Sequence, residues 1–184
     1  MPVAIVDDMR DLGLFGISIP EDYGGSGMGK LAMCVVSEEL SRAWIGVGSL
    51  ATRSEIAGEL ILLAGTDAQK EHWLPKIASG EVLPTAVFTE PDTGSDLASL
   101  KLRAVRDGDE YVLNGSKIWT TNAHQADWIF CLVRTDDTGK KQDGISFLLI
   151  DMKTPGIEVS PIIIINGDHT VNQVFFTDVR APKK

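Results

Sequence analysis

Two short stretches carry residue types able to hold a ligand as well as to fold. The first is Thr89-Glu90-Pro91-Asp92-Thr93-Gly94-Ser95-Asp96, read as leaving a strand and entering a loop. A glycine at 94 admits backbone conformations closed to other residues, so successive N–H groups could converge on an anion. Ser95 adds a hydroxyl at the same point, and a pyrophosphate could be held there without net positive charge. By itself, the stretch reads more simply as a turn whose acids satisfy local backbone groups. The second is Trp119-Thr120-Thr121-Asn122. Under the period-two rule Trp119 and Thr121 share a strand face, where an aromatic could pack on a planar ring and a hydroxyl could bond its edge. An ordinary core tryptophan is the simpler reading of that segment alone.

These stretches need elements to position them. Up to about residue 83 the pattern is helical. Met33, Val36, Leu40 and Trp44 recur at three-to-four spacing opposite Glu38, Glu39 and Arg42, and Ile56, Leu60 and Leu63 repeat it one helix later. Gly65 ends that helix, and Thr66-Asp67-Ala68-Gln69 offers a capping box to the next. The glycine-rich connection Ile19-Pro20-Glu21-Asp22-Tyr23-Gly24-Gly25-Ser26-Gly27 matches no phosphate loop and reads as a connecting turn.

From residue 84 onward the segments become short, alternating and rich in Val, Ile, Thr and Phe. Tyr111-Val112-Leu113 and residues 117–121 flank Asn114-Gly115, which predicts a hairpin turn there. Further strands are expected at residues 128–134, 145–151, 157–165 and 174–177, the last running out into an exposed tail or the start of further chain. Close-spaced strands without intervening helices predict an antiparallel barrel or sandwich. The expected fold is α+β: a helical domain over residues 1–83, incomplete at its start, then a β domain over residues 84–184.

The net charge of −9 argues against nucleic acid, which demands clustered Lys and Arg. It also means that an anionic ligand must be held by local donors. No apolar run approaches a membrane span, and the opening residues resemble neither a signal nor a transit peptide. The two cysteines, Cys34 and Cys131, sit in apolar segments and are expected to be buried free thiols of a reducing compartment. The three scattered histidines and the cysteine spacing predict no metal site. His169 is expected to be a loop histidine making local hydrogen bonds.

Taken together, these segments resemble the acyl-CoA dehydrogenase family. The Thr-Glu-Pro-x-x-Gly-Ser-Asp run resembles its first signature, and Lys117-Ile118-Trp119-Thr120-Thr121-Asn122-Ala123 the strand that follows. Leu14-Phe15-Gly16-Ile17-Ser18-Ile19-Pro20-Glu21-Asp22-Tyr23-Gly24-Gly25, Gly65-Thr66-Asp67-Ala68-Gln69-Lys70 and Phe176-Thr177-Asp178-Val179-Arg180 match in the same order. The resemblance implies FAD as cofactor and an acyl-CoA thioester as substrate. It places Phe88 and Thr89 beside the pyrimidine side of the flavin and Gly94 and Ser95 at the pyrophosphate, with Ser95 also near the thioester. Trp119, Thr120 and Thr121 form the flavin-facing strand end, Trp119 packing on the ring and Thr121 bonding near N5.

The family removes the α-proton with a glutamate from a C-terminal helical domain. No such segment follows within these residues, so no catalytic residue is assigned, and Glu90 is expected to be structural. The 184-residue chain is therefore expected to be a fragment that holds flavin weakly or not at all and does not turn over. The resemblance further implies a homo- or hetero-oligomer at full length, an electron-transferring flavoprotein as acceptor, and a cytoplasmic setting, although a processed chain of the mitochondrial matrix would look the same. A non-catalytic subunit or an oxidase-like relative are the alternative readings. Asp92-Thr93, where many relatives carry Gly-Ala, and Asn166-Gly167-Asp168-His169-Thr170-Val171-Asn172 depart from the usual pattern, so a straight-chain fatty acyl substrate is not assumed.

Overall fold

A computed structural model of the chain describes residues 3–182. The chain divides into two compact units between Pro84 and Thr85. Among its described residues the first holds four α-helices: α1 (Val3–Asp11), α2 (Lys30–Ala43), α3 (Ile45–Ala64) and α4 (Asp67–Ala78). Trp44 is extended and separates α2 from α3, so the apolar repeat that included it stops one residue short. The capping box is present: Thr66 Oγ1 accepts from the Gln69 N–H, and Gln69 Oε1 accepts from the Thr66 N–H.

The expected inner face of α3 is corrected. Its buried positions include Val47, Ala51, Ser54, Glu55, Gly58 and Ile61, whereas Ile56 and Leu63 are exposed. Apolar residues surround this helix on every side, so spacing alone cannot choose the face that packs. The buried Glu55 carboxylate accepts the Ser18 N–H at 3.0 Å and bonds the Ser18 hydroxyl, pinning the segment before the glycine-rich connection. Burial pushes the Glu55 carboxyl up, and the Ser18 N–H and Lys30 pull it back.

The second unit is one seven-stranded sheet. Its strands are β1 (Pro84–Val87), β2 (Arg103–Asp107), β3 (Glu110–Thr121), β4 (Trp128–Arg134), β5 (Ile145–Asp151), β6 (Ile157–Ile163) and β7 (His169–Pro182). They run in the order β1-β4-β2-β3-β7-β6, with β5 on β4. The pairs β2–β3, β3–β7, β4–β5 and β6–β7 are antiparallel, and one parallel contact, Arg103 with Arg134, joins β2 to β4. The α+β class and the helical-then-β order hold, with a single mixed sheet as the β domain. Its core gathers Val87, Leu113, Ile129, Cys131, Val174 and Phe176.

Three further local expectations are corrected. Asn114-Gly115 is not a turn: β3 continues through it, with a register shift against β7 between Leu113 and Gly115. The hairpin lies one step earlier, where Asp107 pairs with Glu110 across Gly108-Asp109, and Gly108 supplies the positive φ of 63°. Gly115 instead lets β3 approach Leu102, because a Cβ there would sit 2.9 Å from the Leu102 side chain. The last strand is longer than expected, continuing along β3 until Pro182 faces Glu110. Finally, Cys34 is exposed on α2, and only Cys131 is buried.

Candidate functional site

Thr89 follows β1, and Trp119 stands near the end of β3, yet three hydrogen bonds stitch the two segments together. The Ile118 N–H donates to the Thr89 carbonyl at 2.9 Å. Lys117, fully buried, reaches from the same strand and donates to the Phe88 carbonyl and to Glu90 Oε1, both at 2.9 Å. Glu90 is itself buried, and its carboxylate also accepts the N–H groups of Lys101 and Leu102, at 2.5 and 2.8 Å. Its backbone exchanges two hydrogen bonds with Thr93. A buried carboxylate tied to two backbone donors and one lysine is spoken for, so Glu90 serves the architecture.

Lys117 is the residue that sequence reasoning missed. A lysine amid Ser116 and Ile118 reads locally as solvent-facing. The available signal was its phase: Leu113 and Lys117 lie four residues apart on one face of β3, and both are buried.

Beyond Lys117 that phase breaks. Residues 117 and 120 on β3 pair with 174 and 172 on β7, three steps against two, so one extra residue bulges on β3. Without the bulge, Trp119 would follow Lys117 into the core. With it, Trp119 is 57% exposed, Thr120 turns inward at 2%, and Thr121 is exposed again. Trp119 adopts the left-handed region at φ 61°, which costs a bulky residue about 1–2 kcal/mol and must be offset by its surroundings. The shared face of Trp119 and Thr121 is therefore real, but an irregular strand creates it. The Thr121 carbonyl accepts from Thr85 Oγ1 at 2.8 Å, anchoring the strand end to β1.

Phe88 and Thr89 are half-buried, and Phe88 packs edge-on against Phe130 with ring centroids 5.5 Å apart. Gly94 and Ser95 are exposed at the loop tip. One physical premise is corrected here: Gly94 does not occupy positive φ. A Cβ at Gly94 would meet nothing within 4 Å, so nothing in the described chain requires glycine at that position. Gly25 behaves oppositely, because a Cβ there would lie 2.0 Å from the Ile19 carbonyl. The glycine-rich connection is thus a turn closed on itself, while the Gly94 tip faces open space.

The loop acids are matched by lysines. Asp92 pairs with Lys101 at 3.1 Å, and Asp96 bonds the Ser99 hydroxyl and lies 3.8 Å from Lys141. A shallow cavity of about 320 Å³ beside them is lined by Lys101, Arg134, Lys140 and Lys141, with one acid, Asp137, among them. This cation cluster on an acidic chain was not legible beforehand, because it joins loops about forty residues apart. His169, expected in a loop, opens β7, and its local hydrogen bond runs to Asn172 at 2.6 Å.

Among the described residues no helix is long and apolar enough to cross a membrane, and no group of three or more His, Cys, Asp or Glu is placed to hold a metal.

The chain resembles known proteins over most or all of its length. Over 161 residues the chain is 57% identical to (2S)-methylsuccinyl-CoA dehydrogenase of Cereibacter sphaeroides, covering 88% of this chain and 29% of that one. The crystal structure of an acyl-CoA dehydrogenase from Geobacillus kaustophilus superposes with a TM-score of 0.88 at 32% identity, over 100% of this chain and 49% of that one. A glutaryl-CoA dehydrogenase from Mycobacterium smegmatis, solved in complex with FADH2, gives 0.86 at 29% identity, over 100% and 46%. The chain therefore spans between under a third and about half of these relatives. Residues 1–81 match the family model for the acyl-CoA dehydrogenase N-terminal domain, and residues 85–179 match that for the middle domain. With both of those domains matched in order and the stitched signature segments inside the second, the chain belongs to the acyl-CoA dehydrogenase family.

Proposed function

We propose that this chain supplies one wall of a flavin site and part of the thioester site of an enzyme that oxidises the Cα–Cβ bond of a short, branched acyl-CoA. The observation that carries the reading is the stitch between Thr89 and Ile118. It holds two sequence-distant segments side by side while the bulge turns Trp119 outward. An indole 57% exposed and held in a strained conformation is a surface awaiting a partner.

The residues present fit FAD. Gly94 leaves room for close approach of a phosphate group, and Ser95 offers a hydroxyl at the same tip. Trp119 gives a planar apolar face, and Thr121 places a hydroxyl on the same side. Thr120, turned inward, contributes its backbone. Phe88 and Thr89 line the adjoining edge. When bound, FAD supplies the acceptor for the β-hydrogen of the thioester.

The chain's own residues orient and enclose. The lysines about the shallow cavity suit the anionic part of a CoA thioester, which the net charge of −9 would otherwise repel. Ser95 stands where it can also meet the thioester. Removal of the α-proton needs a base from outside the two matched domains, since Glu90 is occupied by Lys117, Lys101 and Leu102. Reoxidation by an electron-transferring flavoprotein and assembly into an oligomer belong to the same proposal. The methylsuccinyl-CoA relative supports a short branched substrate.

Titration of the 184-residue chain with FAD, followed by tryptophan fluorescence, tests this. The expected result is weak saturable binding, with Kd above about 1 µM, that loses most of its signal in Trp119→Phe. Saturable binding whose fluorescence signal is unchanged in Trp119→Phe would overturn the placing of the flavin against Trp119. Dye reduction with 2-methylsuccinyl-CoA and with straight-chain thioesters should show no turnover by these residues alone. Clear turnover would overturn the assignment of the base to another region.

A further inference from the structure

The stretch that departs most from the family pattern, residues 166–172, ends in a fully buried side chain that the flavin reading leaves unused. Asn172 has no exposed surface, yet both ends of its carboxamide are occupied. Nδ2 donates to the Thr120 carbonyl at 3.0 Å and lies 3.3 Å from His124 Nδ1, while Oδ1 lies 2.6 Å from His169 Nε2. A carbonyl only accepts, so the amide nitrogen must face Thr120 and the amide oxygen must face His169. His169 Nε2 therefore carries a proton. His124 Nδ1 presents its lone pair, which puts that ring's proton on Nε2. The two imidazoles stack with centroids 4.1 Å apart and planes 25° from parallel, closing the arrangement.

The place of this network matters more than its size. Thr120 is the first β3 residue to resume pairing with β7 after the bulge, and its partner there is Asn172 itself. The carboxamide thus grips the strand between the two residues that face outward, Trp119 and Thr121. A buried amide left unsatisfied is costly, so this one favours a single position of the Thr120 carbonyl. Fixing that peptide fixes the direction of the residues on either side.

We propose that Asn172, held by the His169–His124 stack, is a positioning residue that sets the bulge presenting Trp119 and Thr121 to the ligand. The inference rests on the flavin reading for what is presented, and on the network alone for how it is held. It gives the unusual Asn166–Asn172 stretch a purpose: a polar lock behind the ligand face.

The test uses the 184-residue chain labelled with ¹⁵N at its four tryptophans. In ligand-free Asn172→Leu, the indole N–H resonance of Trp119, assigned through Trp119→Phe, should move and broaden. Those of Trp44, Trp73 and Trp128 should stay in place, and FAD affinity should fall about tenfold. His169→Gln keeps an N–H donor toward Asn172 and should preserve the Trp119 resonance. His169→Phe removes the donor and should shift it in the direction seen for Asn172→Leu. If Asn172→Leu does not fold, the two His169 variants decide. An unmoved Trp119, a Trp128 that moves with it, or identical behaviour of the two His169 variants would overturn the proposal. So would unchanged FAD affinity in a variant whose Trp119 has moved. If Trp119 responds as expected but neither wild type nor variant binds FAD, the positioning role stands and the flavin reading fails.

Discussion

Replacing Lys117 with methionine should cost about 3–5 kcal/mol of folding stability, because it leaves the buried Glu90 carboxylate without its cation. Size is nearly conserved by this change, so lost packing contributes little. Glu90 would retain the N–H groups of Lys101 and Leu102, at 2.5 and 2.8 Å, which limits the damage without removing the charge. Chemical denaturation followed by circular dichroism reads the effect directly. The double variant Lys117→Met with Glu90→Gln should lose less than the two single losses combined, by about 1–3 kcal/mol of coupling. Additive losses would show that the two side chains act separately, and that the stitch between Phe88, Glu90 and β3 does not depend on their pairing. Because Lys117 also holds the Phe88 carbonyl, the single variant should lose FAD binding even at temperatures where it remains folded.

Gly94→Val should do the reverse, leaving the fold intact while removing the ligand. A Cβ at 94 meets nothing within 4 Å and φ there is not left-handed, so the stability change should stay within about 0.5 kcal/mol. If a phosphate group approaches this tip, the added branches occupy its place, and FAD affinity should fall at least tenfold, about 1.4 kcal/mol. Gly25→Ala is the matching control. Its Cβ would press on the Ile19 carbonyl at 2.0 Å, so it should destabilise by about 1–3 kcal/mol or more. Unaltered FAD affinity in Gly94→Val would remove the loop tip from the site. A large loss of stability would mean that the glycine serves the fold after all.

The helical half was legible because its signals are local. The capping box at Thr66 and Gln69 and the half-buried face of Met33, Val36 and Leu40 each lie within one or two helical turns. In the β half, strand existence was legible for the same reason, but register was not. Asn114-Gly115 carries the strongest hairpin dipeptide and still lies in mid-strand, since pairing with Arg103 of β2 and with β7 outweighs a two-residue preference. A bulge has no reliable local signature, and one extra residue inverts every side chain after it. Strict alternation from Lys117 would have buried Trp119, the residue on which the ligand face depends. The Glu90–Lys117 pair was hidden for a related reason: its partners lie 27 residues apart, and only the folded sheet brings them within 2.9 Å.

The two cysteines, which play no part in any of this chemistry, give the molecule an internal clock. Cys34 is exposed on α2, whereas Cys131 lies wholly within the sheet, its thiol pushed up to about 12 by burial. A thiol-specific reagent should therefore mark Cys34 at once and reach Cys131 only when the sheet opens, so that the slow phase times the opening of the β unit. Any substitution at the Lys117 stitch can then be read as a change in how often the sheet breathes, without cofactor or substrate in the tube.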